Sequence, residues 1–267
     1  MNESEKQVGR YQSLEGINTL DSINYAFSPR DFGNMAFPYG DLEEVIENRR
    51  RFLAVVGIKL EDLVFMKPVH KVNIVEVGGK DKGKGALNPS SAIPSTDALI
   101  TTEKGVGLAL NAADCAPVIV TNRKAEFLAL YHAGREGTDL QIGRVVISWL
   151  KNRGFTDLED YIVGIGPLIG NCCYKQQYLQ THNPDLWTSY LLPENGSRLT
   201  VERINSLEPP LYRISSGGGS MLRLGLAAIN LAQLVAAGVS EKNISTSTFC
   251  TACDADRNLI FSHVISS

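Results

Sequence analysis

A chain of 267 residues, 43% hydrophobic and 21% charged, is long enough to bury a substantial core in one large domain or two small ones. A net charge of −3 argues against a nucleic-acid-binding domain, which is usually basic. No run approaches the roughly 20 apolar residues of a membrane span, and the polar opening MNESEKQVGRYQS has no apolar signal segment. The five cysteines are odd in number, in a chain too large to need disulfide staples. Free thiols in a reducing cytoplasm are therefore expected.

The first forty residues read as loop, with Pro, Gly, Asn and Ser among aromatics. Asp41 then opens a helix, DLEEVIENRRRFLAVVG, with an acidic first turn and Gly57 as its stop. Apolar segments with β-branched content follow: VNIVEV, TDALITT, VGLALNA, APVIVTN and EFLALYH. The intervening KDKGKGALNPSSAIPS reads as an exposed loop. DLQIGRVVISWLKNRG predicts a helix with Ile142, Val145, Val146, Trp149 and Leu150 on one face. YIVGIGPLIG predicts a buried strand ending in a glycine-rich turn. The stretches NPDLWTSYLLPENGSRLT and VERINSLEPPLYRIS are ambiguous. SMLRLGLAAINLAQLVAAGVS predicts a buried helix, apolar on nearly all sides; NISTSTFC predicts a late strand and LIFSHV a final one. Strands and helices intermix without strict βαβ alternation, which indicates a mixed α/β or α+β domain spanning residues 1–267.

Three residues carry the chemistry. His70 closes LVFMKPVH, Cys115 sits in AADCAPVIV, and His132 closes EFLALYH. Two imidazoles and a thiolate leave one position of a tetrahedral zinc open, as catalytic zinc sites do. A lone cysteine or histidine is more often a buried structural residue. Here the three occur together, among small or turn-forming neighbours (PVHK, ADCAP, HAGREG) that leave room for a substrate. Asp97 and Asp114 are candidates for orienting a histidine or moving a proton, or are simply turn residues. Arg49, Arg50 and Arg51 form either a solvated helix face or an anion site. Cys250 and Cys253 form a C-x-x-C and Cys172–Cys173 a vicinal pair. Adjacent residues rarely supply two ligands to one metal, so all four cysteines are read as outside the catalytic chemistry. His182 and His263 read as ordinary polar residues. SSGGGS is an anion-binding helix start or a loop.

DALITTEKGVGLALNAADCAPVIV, followed by LYHAG, VGIGPLIGNCCYK and FCTACDADRNLIFSH, resembles the laccase-domain, or YfiH-type, family. The resemblance covers roughly residues 20 to 265. It implies an α+β fold of mixed β-sheets flanked by helices, with the metal site in a surface cleft. It implies zinc on His70, Cys115 and His132, with copper as an adventitious occupant, and phosphate on Arg49. The activity it implies is phosphorolysis of adenosine, inosine, guanosine and methylthioadenosine to base and pentose 1-phosphate. Adenosine deamination is implied as well, with zinc activating a water toward the purine C6. The expected partners are then a purine nucleoside and phosphate, with no nucleic acid or membrane, in a monomer or small homo-oligomer. The chain departs from the family pattern at two ligands. It has Pro68-Val69-His70 where Gln-Val-His is usual, and His-Ala-Gly-Arg135-Glu136-Gly where His-Ala-Gly-Trp-Arg-Gly is usual.

Three other functions compete. A true multicopper phenol oxidase needs about ten histidines, and this chain has four. A metal-free cysteine hydrolase would use Cys115 as nucleophile and His132 as base, leaving His70 surplus. A non-enzymatic relic would keep the metal for stability alone.

Overall fold

The computed structural model describes residues 14–176, 178–181, 183–189, 199–204, 209–216 and 222–253. Among the described residues the strands, in chain order, are β1 Leu63–Phe65, β2 Ile74–Glu76, β3 Ala98–Thr101, β4 Gly107–Ala109, β5 Ala116–Asn122, β6 Leu128–Ala133, β7 Tyr161–Ile165, β8 Lys175–Gln176, β9 Tyr178–Gln180, β10 Leu199–Arg203, β11 Leu211–Ser216, β12 Leu222–Arg223 and β13 Ile244–Thr246. The helices are α1 Glu15–Asn18, α2 Leu42–Val55, α3 Arg135–Asp139, α4 Ile142–Asn152, α5 Pro184–Thr188 and α6 Leu226–Ala236. The architecture is the expected mixed α+β. A six-stranded sheet in the order β13-β7-β5-β6-β3-β2 forms its centre. Its inner pairs are antiparallel, and its two outer pairs, β13–β7 and β2–β3, are parallel. Smaller sheets pair β1 with β4, β8 with β12, and β9, β10 and β11 together.

Strand alternation divides the core. Val118, Val120, Ala129, Tyr131, Val163 and Ile165 face one side of the sheet, where α4 and α6 bring Ile142, Val146, Leu150, Ile229 and Leu234. Ile119, Leu130, Leu99 and Ile162 face the other side, covered by Leu14, Ile17, Val64, Met66 and Val106. The central strand β5 is buried along its whole length, so APVIVTN reads as a continuous apolar run.

The helix at Asp41 forms as its sequence predicts. The Asp41 carboxylate accepts from the Glu43 and Glu44 N–H groups, and Gly57 follows the helix at φ +69°. Its buried residues Val45, Asn48, Arg49, Phe52 and Leu53 recur at helical spacing. In α4 the same logic holds, with Val145 and Trp149 at the margin of the buried face. The third predicted helix is shorter than expected. Leu222 and Arg223 belong to a strand, and α6 begins only at Leu226. Nor is α6 buried as an apolar rod. Its inward face carries Asn230 and Gln233, whose amides donate to the Thr138 hydroxyl and carbonyl, and Val235 is exposed. The ambiguous stretches contain α5, β10 and β11. LIFSHV, His182 and His263 lie outside the described residues, as does most of SSGGGS.

Pairing brings several segment ends to one end of the central sheet. Ala116 opens β5 opposite Ala133, which closes β6, and Ala98 near the start of β3 pairs with Tyr131. β2 runs parallel to β3, so the loop of residues 66–73 enters at this end. β7 and β13 finish here too, which delivers the segments following Ile165 and Thr246.

Candidate metal centre

His70, Cys115 and His132 converge at this end of the sheet, each offering one ligand atom within 4.8 Å of the other two. Each arrives by a different route. His132 is the penultimate residue of β6, 4% exposed, with its N–H donated to the Asp97 carbonyl at 2.8 Å. Cys115 immediately precedes β5. His70 lies on the loop between β1 and β2, exposed, with its backbone at φ +60°. A side chain other than glycine pays about 1 kcal/mol for the left-handed region, so the loop must be held there by its surroundings. Asp97, fully buried, supplies that hold. Its Oδ1 accepts from the Val69 N–H at 2.9 Å and its Oδ2 from the Asn73 N–H at 3.3 Å, one contact on each side of His70. Asp97 thus positions His70 through the backbone on either side of it.

The donor set fits a thiophilic, imidazole-binding ion such as zinc. The two imidazole rings meet edge to face at 4.9 Å between centroids. His132 Nδ1 is buried with no hydrogen-bond partner among the described residues, an orphan that a metal or a bound molecule would satisfy. Gly134 keeps the space open. A Cβ there would lie 2.7 Å from Cys115 Sγ and 3.2 Å from His70 Cδ2. Electrostatics agrees. Burial, with the nearby His70 ring, pushes the His132 imidazole down to about 4 against the opposing pull of Asp97, which leaves it neutral and able to donate a lone pair. Burial and the Asp114 carboxylate push the Cys115 thiol up to about 11, so it needs a cation to become a thiolate.

Asp114 is turned away toward other partners: its Oδ1 accepts from the Thr251 hydroxyl at 2.7 Å and its carbonyl from the Ile169 N–H at 2.9 Å. Burial pushes the Tyr174 hydroxyl up to about 12, and this aromatic, which sequence reasoning overlooked, is within electrostatic reach of Arg135, Cys115 and Asp114. The displaced basic residue Arg135 starts α3. Its Nη1 donates to the Gln180 carbonyl at 2.8 Å and its Nη2 lies 3.4 Å from Glu136 Oε1. Lys71, beside His70, also reaches Glu136, at 3.6 Å.

The expected phosphate ligand, Arg49, is engaged with protein groups. It is 3% exposed. Its Nε donates to the Met35 carbonyl, and its Nη1 to the carbonyls of Gly85 and Ala86, at 2.8–2.9 Å. Its guanidinium is sandwiched between Phe37 and Phe65 at 4.2 and 4.1 Å. Burial lowers its pKa to about 10. This is the geometry of a cross-brace: the Nε and Nη1 donors that an anion would use are already spent on backbone carbonyls, and the two rings hold the guanidinium in that plane.

Residues 24–266 match the family model described as multi-copper polyphenol oxidoreductase laccase. The chain belongs to this family. It is 36% identical over 232 residues to purine nucleoside phosphorylase YlmD of Geobacillus stearothermophilus, covering 86% of this chain and 77% of that one. It is 26% identical over 252 residues to adenosine deaminase RL5 of an unknown prokaryotic organism, covering 93% and 82%. The crystal structure of YlmD from Geobacillus stearothermophilus superposes with a TM-score of 0.68 at 34% identity, over 86% of this chain and 78% of the other. That of the Bacillus licheniformis hypothetical protein YfiH gives 0.69 at 29% identity, over 86% and 79%. The fold of this laccase-domain protein is therefore the YfiH/YlmD fold, and relatives in the family are named as nucleoside enzymes. The family description implies a metal, and the triad is one of two Cys/His clusters among the described residues able to hold one. No described helix is long and apolar enough to cross a membrane.

Proposed function

We propose that this laccase-domain protein is a cytoplasmic, single-domain, zinc-dependent purine nucleoside phosphorylase. It splits adenosine, inosine, guanosine or methylthioadenosine with phosphate, and it also deaminates adenosine. The observation that carries the reading is the convergence of His70, Cys115 and His132 around an orphaned imidazole nitrogen, in a chain related to a named phosphorylase and a named deaminase.

His70, Cys115 and His132 would hold the ion, and when bound it would supply Lewis-acid polarisation of an oxygen in the open fourth position. The chain's own residues do the rest. Asp97 fixes the backbone on both sides of His70, so this ligand does not reorganise during turnover. Gly134 leaves the floor of the site bare. We assign the purine contact to Tyr174, part-buried and within electrostatic reach of Cys115, whose hydroxyl stays protonated at neutral pH and can donate. We assign phosphate contact, the role first expected of Arg49, to Lys71 and Arg135, the basic side chains next to His70 and Gly134, which pair with Glu136 and the Gln180 carbonyl. Glu136 sits between them and sets a negative limit to that subsite.

The chain's electrostatics disfavours the cysteine-hydrolase alternative. A nucleophilic cysteine needs a depressed thiol pKa and a base near neutrality, whereas burial drives Cys115 up and His132 down. Chromatography of adenosine and inosine incubated with the zinc-loaded protein, with and without phosphate, tests the proposal. Free base and pentose 1-phosphate appearing only with phosphate are expected, together with inosine from adenosine in either case. No turnover of any of the four nucleosides by zinc-loaded protein would refute it.

A further inference from the structure

Four cysteines that the triad does not use gather at the same end of the sheet. The ligand atoms of Cys172, Cys173, Cys250 and Cys253 all lie within 4.8 Å of one another. Cys253 Sγ is 3.3 Å from Cys172 Sγ and 3.0 Å from Cys173 Sγ. Two separate segments deliver them. The first follows β7: the turn at residues 171–173 closes on Gly170, whose carbonyl accepts from the N–H groups of Cys173 and Tyr174. The second follows β13: Cys250 forms a parallel bridge with Leu168, and the Thr251 N–H donates to the Leu168 carbonyl at 3.0 Å. The turn rotates the two adjacent cysteines so that both sulfurs reach Cys253, which removes the usual objection to a vicinal pair sharing one ion.

We propose that these four thiols form a second, structural metal site, a closed tetrathiolate centre for zinc or a similarly thiophilic divalent ion. Four sulfurs complete a tetrahedron, in contrast to the three-ligand triad with its open position. Two backbone N–H groups already point at one sulfur: Gly170 N–H donates to Cys250 Sγ at 3.2 Å and Cys253 N–H at 3.4 Å. Amide donors of this kind stabilise a thiolate more than a thiol, since the charged acceptor makes the stronger hydrogen bond. Arg223 adds positive charge close by, its Nη1 donating to the Cys172 carbonyl at 2.7 Å. Ion binding releases four thiol protons to solvent and changes no oxidation state. Gly170 permits the approach of the two segments; a Cβ there would meet Cys172 Sγ at 3.1 Å and Cys250 Cβ at 3.2 Å.

The second centre braces the first. Both cysteine segments also grip Asp114, the residue before Cys115: Ile169 N–H donates to its carbonyl, and the Thr251 hydroxyl donates to its carboxylate. An ion tying Cys172 and Cys173 to Cys250 and Cys253 would fix both contacts, and with them the position of the triad thiol.

Metal analysis of the full chain, purified anaerobically in the presence of zinc, tests this independently of any nucleoside activity. The expected result is about two zinc ions per chain, with one lost in Cys250→Ser/Cys253→Ser and the other lost in Cys115→Ser. If the double variant does not fold, Cys253→Ser alone serves, since this residue is exposed and its removal leaves no core cavity. Cobalt substitution gives a second readout. The Cys115→Ser protein should retain the strong sulfur-to-cobalt charge-transfer band of several thiolates, and the cysteine-cluster variant should keep only a weak one. A wild-type chain carrying about one zinc, all of it lost with Cys115, would overturn the proposal. So would a Cys253 disulfide to Cys172 or Cys173 in freshly purified protein.

Discussion

Asp97 shows how a candidate metal ligand is set without being touched. Its carboxylate binds the N–H groups of Val69 and Asn73 and so holds His70 in the left-handed region. In Asp97→Asn one amide NH₂ would oppose one of those N–H donors. We expect zinc affinity to fall by about 10- to 100-fold, measured by competition with a chromophoric chelator; unchanged affinity would mean the loop needs no anchor. Gly134→Ala should be more damaging to the triad than to the fold, because the new methyl meets Cys115 Sγ at 2.7 Å while its other near neighbour is the rim atom His70 Cδ2. Loss of triad zinc with a near-native melting temperature is the expected outcome. His132 gives a pH signature. Its folded pKa of about 4 lies below the ordinary 6.5. Between these values the unfolded chain binds a proton that the folded chain does not, so His132 costs stability as pH falls through this window. Urea unfolding of metal-free protein at several pH values should show that decline, and His132→Gln should flatten it.

At the scale of elements, α2 was legible because its signals are local. The Asp41 cap, the acidic first turn and the spacing of Val45, Phe52 and Leu53 all lie within one helix. What the sequence could not reveal was the use made of its arginine. Arg49 reads as one of three consecutive cations, yet it alone falls on the buried face and cross-links Met35, Gly85 and Ala86, partners 14 to 37 residues away. Arg49→Met should cost about 3 kcal/mol in urea unfolding, since two buried carbonyls and one part-buried carbonyl lose their donors. A loss under ~1 kcal/mol with impaired phosphate use would return this residue to the substrate site. The long apolar stretch before Gly238 reads as a buried helix, apolar on nearly all sides, and only the tertiary contact with Thr138 turns its Asn230 and Gln233 inward.

Over the whole molecule, the strand ends bring the candidate metal ligands together. His70, Cys115 and His132 could be named from sequence because each adjoins an apolar run and small neighbours. Their convergence follows from the antiparallel register that sets Ala116 opposite Ala133, and from the parallel entry of β2 beside β3. The cysteine cluster was hidden because its two halves are about 80 residues apart and meet only where β7 and β13 end together. The same end of the sheet thus gathers the His70, Cys115 and His132 triad and a four-cysteine cluster, joined through Asp114. The central claim is that the open centre performs phosphorolysis. It is tested most directly by following hypoxanthine release from inosine against phosphate concentration, in zinc-loaded wild-type and Cys115→Ser protein. The account predicts saturable, phosphate-dependent release by the wild type and none by the variant. Equal release by both proteins, or release by the wild type that ignores phosphate, would contradict it.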